Sequence, residues 1–475
     1  MAAPEPSHEC DVVVLGGGAA GLTAAWRAAL TGRSVRLIER SPVLGGLAAS
    51  FEVTGVRVDH GSHRLHPTTS PVLLEDLRGL LGADLQERPR HGRLRLYDRW
   101  LGFPLDAGEL ARVVPKSALR RIVRDAVFAP FRLAGWPGYA DRGSSYGGAL
   151  SASLGPELYG ILYLPYAVKL WGLPGERIDV EQARRRVSAD SPWKICRRIL
   201  HRRNPRGRVF YYPRRGFGQI VESIAEAAVA AGAHLHTSTE VSTVDLQGAA
   251  PVVRLAGGGT IRADHVLSTL PLPLLARLTR PQPPPPVLED AGHLRLRAMV
   301  LVYLAHTGGR WTKFDAHYLP DSDTPVTRIS EPANYRDNAD DPVDRTVLCA
   351  EIPCAVGDPL WRATAEELAA VVTGALARAG LPPVRLAGVE VRRLPHVYPV
   401  YATGTAEPLA RLQSWADGLR DVTTLGRQGL FVHDNTHHTM AMAYDAVGAL
   451  ASDNHRDEAL WAAARERFSR HVVED

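Results

Sequence analysis

The run Cys10-Asp-Val-Val-Val-Leu15, followed at once by Gly16-Gly-Gly18-Ala-Ala-Gly21, constrains this chain more than any other segment. The β-branched stretch reads as a buried parallel strand. Leu22 to Thr31 has helix-forming composition with Gly32 to stop it, and Ser34 to Ile38 reads as a second strand ending at Glu39. Gly16 permits a tight turn, Gly18 lets backbone approach a pyrophosphate, and Gly21 lets helix and strand pack closely. Ala19 and Ala20 lie where the helix opens, and its free N–H groups and positive end meet the pyrophosphate. Glu39 stands where an acid accepts hydrogen bonds from an adenosine ribose. Strand, glycines, helix, strand and acid in that order specify dinucleotide binding.

The chain has 475 residues, more than one domain needs. With 45% hydrophobic residues, disorder is excluded as its dominant state. It has no uncharged apolar run of about 18 residues, so no transmembrane helix is expected. The first residues, MAAPEPSHEC, carry proline and acids where a secretory signal carries basic and then apolar residues. Cys10, Cys196, Cys349 and Cys354 are scattered. They match no zinc spacing, exclude a disulfide scaffold, and suit a reducing, cytoplasmic setting. Only Lys116, Lys169, Lys194 and Lys313 among the 56 basic residues are lysines. Coding bias explains most of the arginine, although arginine also suits an anionic ligand. The excess of 56 basic over 51 acidic residues is too small to imply nucleic acid.

Elsewhere, residues 57–105 read as short strands and loops, and 107–204 as mainly helical, with an Arg-rich amphipathic stretch from Ala118 to Trp136. Phe217 to Ala231 reads as a helix, His234 to Thr239 as a strand running on to Glu240-Val241, and Arg262 to Leu270 as another strand. Pro281 to Pro286 reads as a stiff connector between domains. Leu294 to Ala305 reads as a long strand; Thr364 to Ala379, Ala406 to Leu419 and much of 440–471 read as helices. A nucleotide-binding domain assembled from separated segments is the simplest account: 1–105, 206–280 and 385–475, with 106–205 and 281–384 forming the substrate-binding part.

Three further stretches carry polar chemistry. Val58-Asp-His-Gly-Ser-His63-Arg64-Leu-His-Pro67 holds three histidines, but no further ligand set accompanies them and no metal centre is expected there. Tyr163-Leu-Pro-Tyr166-Ala-Val-Lys169-Leu-Trp171-Gly172 reads equally as a pocket wall or as core aromatics with a snorkelling lysine. The last stretch runs from Leu425-Gly426-Arg427 to Asn435-Thr436-His437-His438. Asn435 and Thr436 there precede a helix expected to open near Thr439, whose N-terminal N–H groups can stabilise negative charge. His437 and His438 read either as site residues or as capping and surface histidines.

Gly45-Gly46, soon after Glu39-Arg40, resembles the extended FAD motif of the amine oxidase and protoporphyrinogen oxidase superfamily. The Gly-x-His-x-x-His order from Gly61 resembles the histidine loop of UDP-galactopyranose mutases, which makes His63 the flavin-face residue and Arg64 a candidate for a diphosphate. Pro165-Tyr166-x-x-Lys169-x-Trp171-Gly172 resembles a substrate-domain block of sugar-linked relatives. Tyr211 to Gly218 resembles the entry to a second FAD segment, with the backbone at Val241 against adenine. Gly426 and Arg427 match the C-terminal flavin segment of both families. The resemblance implies bound FAD and an α/β fold: a Rossmann-like, glutathione reductase-type domain with an interleaved substrate-binding α+β domain.

By that resemblance the chain is an FAD-dependent oxidoreductase that dehydrogenates or isomerises a small molecule, sugar-linked or a secondary metabolite and anionic or nucleotide-linked. Hydride passes to flavin N5, with His63, Lys169 or His437 assisting and Arg64, Tyr166 and Trp171 against the substrate. Amine oxidases of this fold carry a lysine on the strand before a characteristic tryptophan; here Arg295 to Ala305, before Trp311, has none. Two alternatives stand beside this reading: a redox-neutral sugar-ring mutase using reduced FAD, and a flavoprotein scaffold without turnover. Substrate, electron acceptor, covalent attachment and oligomeric state stay open at this stage.

Overall fold

The computed structural model describes residues 7–103, 105, 107–134, 145–186 and 209–473. Cys196, Lys194 and Trp136 lie outside the described residues, as does part of the region expected to be helical.

Two sheets organise the chain. The first runs in the order Thr279–Arg280, Val241–Asp245, Val252–Leu255, Thr260–Ser268, Ser7–Leu15, Val35–Ile38, His234–His236. Its central strands are parallel: Ser7–Leu15 pairs with Val35–Ile38 on one side and Thr260–Ser268 on the other. Thr260–Ser268 has two partners on its far edge. Its first half meets Val252–Leu255 antiparallel, and its last three residues meet Val422–Thr424 in parallel. Val12 to Leu15 are wholly buried, as strands covered on both faces must be. Helices Ala19–Leu30, Gly218–Ala230 and Thr436–Gly448 pack together over one face of the sheet through Leu22, Ala25, Ile220, Ile224, Met440 and Ala443.

The second sheet runs Leu386–Val400, Arg295–Thr307, Arg345–Cys354, Arg328–Ser330, Ala316–Tyr318, Gly92–Leu96, Arg99–Phe103. Helix Ala365–Arg378 covers one face, burying Leu368, Val372 and Leu376. Its start is set by Thr364 and Glu367, which form a reciprocal capping box. Helices from residues 107–134 and 145–186 complete this half.

Several expectations shift. Gly92–Phe103 and Leu386–Val400 belong to the second sheet, so the segment edges expected at 105 and 385 do not follow sheet membership. A helix, Pro71–Leu81, interrupts the region read as strands and loops. Ser70 caps it, Pro71 sits at its first position, and Leu73, Leu77 and Leu81 are buried, each worth about 1.5–3 kcal/mol. The proline run is no free connector: Pro285 and Pro286 open helix Pro285–His293, where missing N–H groups cost nothing. Val241 starts a strand instead of ending the previous one, which stops at His236. The last flavin-segment helix opens at Thr436, three residues early, with Asn435 as its N-cap.

Candidate active site

The glycine loop has the shape its sequence requires. A Cβ on Gly21 would lie 1.9 Å from the Gly16 carbonyl oxygen, and Gly16 adopts a φ of +100°. A Cβ on Gly18 would meet nothing within 4 Å, which leaves open space in front of the helix that starts at Ala19. That helix has no side-chain cap and no acid in its first turn, so its N–H groups are available to an anion. The Glu39 carboxylate accepts from the Gly17 N–H at 2.7 Å and the Ser41 N–H at 2.8 Å, which fixes it beside the loop. Gly45 donates its N–H to Gly17 at 2.7 Å, so the second glycine pair folds directly onto the first. Gly426 also reaches this point: a Cβ there would lie 3.0 Å from Ala20 Cβ. N- and C-terminal motifs therefore share one cradle, which suits the pyrophosphate of a dinucleotide. Arg40 follows Glu39 directly in the chain, and Val241 opens the strand Val241–Asp245 of the first sheet.

Beyond this cradle, a cleft opens between the two sheets. His63, Arg64, Arg90, Arg328, Glu351 and Arg427 line it, with apolar walls from Met299, Leu301, Leu394 and Val397. Asn435 and Thr436 bring the N-terminus of the helix Thr436–Gly448 to the same cleft, without an acid in the first turn. The histidine loop is held rigidly. Asp59 is buried and accepts from the Ser50 hydroxyl at 2.6 Å, the Phe217 N–H at 3.0 Å and the Tyr212 hydroxyl, while its carbonyl accepts from the Tyr303 hydroxyl at 2.6 Å. His63 stacks on Phe217 with ring centroids 5.1 Å apart. Its Nε2 lies 3.1 Å from the His60 carbonyl, which places the proton on Nε2 and leaves Nδ1 unprotonated in the neutral ring. Burial pushes the His63 pKa below its ordinary value, so the neutral form prevails at neutral pH.

The arginines are engaged as well as cationic. Arg64 lies 3.2 Å from Asp315, donates to the Tyr318 hydroxyl at 3.3 Å, and sits over the rings of Phe210 and Tyr335. Arg427 donates to the Asp434 carbonyl from both Nε and Nη2. Arg328 makes a bidentate pair with Glu351.

The remaining expected site residues lie elsewhere. Lys169 does not line the cleft. Its ammonium donates to the carbonyls of Leu319 and Asp321, and burial lowers its pKa to about 7 against the pull of Asp323 and Asp321. Trp171 is buried in a cluster with Tyr146, Leu150 and Leu170, and Tyr166 packs against that cluster. His437 is buried between His66, at 6.2 Å between centroids, and His438, at 4.1 Å. Sequence reasoning missed Arg90, Arg328, Glu351 and Tyr398, which also line the cleft. They stand on strands and loops far apart in the chain, and no local pattern marks them.

Comparisons with known proteins agree on one architecture. Residues 14–80 match the profile of an NAD(P)-binding Rossmann-like domain, and residues 196–448 match that of a flavin containing amine oxidoreductase. The fold is similar to that of a reduced UDP-galactopyranose mutase, with TM-score 0.78 and 20% identity, covering 98% of this chain and all of that one. A protein provisionally named a protoporphyrinogen oxidase, from Exiguobacterium sp. 255-15, aligns with TM-score 0.70 and 17% identity over 97% of this chain and all of that one. Phytoene dehydrogenase of Streptomyces griseus is 42% identical over 77 residues, 16% of this chain and only 15% of that protein's length.

Proposed function

The chain belongs to the flavin containing amine oxidoreductase family, and we propose that it dehydrogenates or isomerises an anionic small molecule, sugar-linked or a secondary metabolite. It is an FAD-dependent oxidoreductase, and bound FAD supplies the hydride acceptor. Gly16, Gly18 and Gly21, the uncapped helix at Ala19, Glu39 and Gly426 fit the dinucleotide, and Asn435 and Thr436 bring a helix N-terminus toward its redox end.

One observation carries the substrate reading: four arginines line a cleft whose wall on the strand Arg295–Thr307 is Met299 and Leu301. That wall offers no amine-handling lysine, which argues against a simple amine. Arginine binds carboxylate or phosphate through paired N–H groups. The apolar wall excludes water from the rest of the molecule. His63 holds its proton at Nε2 and can take one at Nδ1, which suits a base that helps a C–H or O–H group lose its proton. Lys169 and His437 are not part of this mechanism: the first braces a loop, and the second lies within a row of histidines. A reducing, cytoplasmic setting is consistent with Cys10, Cys349 and Cys354, all free thiols.

A redox-neutral mutase remains the second reading, favoured by the histidine loop and by the likeness to the mutase structure. The experiment is flavin absorbance under anaerobic conditions during incubation with candidate substrates. Bleaching by substrate supports the oxidoreductase. Turnover only after dithionite reduction, with no net redox change, overturns it in favour of the mutase.

A further inference from the structure

We infer that Asp434, His438 and His471 form a binding site for a divalent cation of the zinc class, one that clips the C-terminal tail onto the helix at the cleft. The three residues offer donor atoms that all lie within 4.8 Å of one another. Asp434 is wholly buried; its Oδ2 lies 3.2 Å from His471 Nδ1 and its Oδ1 3.3 Å from His438 Nδ1. A tetrahedral ion with bonds of about 2.0–2.1 Å sets its donor atoms about 3.3 Å apart. One carboxylate and two imidazoles make a donor set suited to zinc, with the fourth position left for water.

A second observation points the same way. Asp434 Oδ1 makes no well-formed hydrogen bond, and the polar side-chain atom beside it is His438 Nδ1 at 3.3 Å. His438 Nδ1, the nitrogen nearest it, is approached at 3.4 Å by the Asn435 N–H. An imidazole nitrogen has one in-plane lone pair, so an ion bound at Nδ1 takes the place of this long contact with Asn435. A cation satisfies both atoms at once. The two imidazoles stack at 4.3 Å with an interplanar angle of 16°, so at least one ring must tilt to close the set. His471 is placed for that, because it follows the end of the helix Glu458–Ser469.

The site lies outside the cleft yet acts on its boundary. Val473, two residues after His471, lines the cleft and donates its N–H to the Arg185 carbonyl at 2.7 Å. An ion at Asp434 fixes the tail that supplies this wall. The ligands differ from the loop histidines His60, His63 and His66.

The test uses the FAD-loaded protein dialysed against a chelator and then titrated with zinc by calorimetry. We expect one equivalent bound with micromolar or tighter affinity. Co2+ is expected to give ligand-field absorption to the red of the flavin band, which a hydrogen-bonded cluster lacks. His471→Phe is expected to weaken binding by about 100-fold or more, and His471→Cys, which restores a ligand, to recover most of it. Flavin content of each variant reports that the fold survives. Absence of saturable zinc binding, or binding that His471→Phe leaves unchanged, overturns the site and leaves Asp434 as a hydrogen-bonded carboxylate.

Discussion

Arg328 grips Glu351 through both carboxylate oxygens, at 2.8 and 2.9 Å, and the same pair holds Ser62 by its N–H and its carbonyl. The histidine loop of the dinucleotide-binding half is thereby fastened to two strands of the other sheet. Glu351→Gln leaves a buried guanidinium without its counter-charge. Removing one member of such a pair costs about 3–5 kcal/mol. Urea unfolding is expected to show that loss, and flavin fluorescence to show faster release of cofactor. A stability change under about 1 kcal/mol, within the range of an exposed pair, would count against the brace.

Gly18 and Gly21 separate cofactor contact from folding. Gly21→Ala drives a Cβ into the Gly16 carbonyl, so both the apoprotein melting temperature and FAD binding fall. Gly18→Ala meets no protein atom within 4 Å, so the apoprotein keeps its melting temperature. Its FAD affinity is expected to drop about tenfold, or about 1.4 kcal/mol. Equal behaviour of the two variants in both assays would contradict the cradle.

His63 sets a pH limit on turnover. Its pKa lies below 6.5 because burial disfavours the imidazolium. The neutral base therefore persists below pH 6.5, and the acidic limb of kcat/KM falls below that value. His63→Gln is expected to lower kcat by about 10²–10⁴-fold and to remove that limb. A limb that persists in the variant assigns the titration to another group.

Lys169 predicts a slope in stability rather than in activity. Its pKa is lowered from 10.5 to about 7 in the folded chain. Between those values the unfolded chain binds more protons, so folding stability rises as pH increases from about 7 to 10.5. Lys169→Met is expected to flatten that rise in urea titrations at pH 7 and pH 9.5. An unchanged slope shows that Lys169 does not carry it.

What could be read in the sequence was what is local. Gly16, Gly18, Gly21 and Glu39 act through spacing along one strand, turn and helix, so their arrangement follows from the order of residues alone. The long strand Arg295–Thr307 and the helices Gly218–Ala230 and Ala365–Arg378 were legible for the same reason. Helix Pro71–Leu81 was not read, although Ser70 and Pro71 together mark a helix start. Arg328 and Glu351 were beyond reach, because antiparallel pairing of two strands brings them together and neither sits in a motif. Lys169 drew notice through rarity, but its hydrogen bonds depend on where the backbone of Leu319 and Asp321 returns. The tail residues His471 and Val473 reach the cleft only through the packing of the last helix.

The double pairing of Thr260–Ser268 has a consequence for synthesis. The strand Ser7–Leu15 leaves the ribosome about 250 residues before this partner, roughly 13–50 s earlier at about 5–20 residues per second. Val422–Thr424 and the helix Thr436–Gly448 come later still. For that interval the nascent chain carries an unpaired strand edge ending in the apolar run Val12–Leu15, a template for wrong pairing. Ribosome-bound chains halted before residue 260 are therefore the form of this protein most dependent on chaperones, and the flavin cradle closes only once Gly426 has emerged.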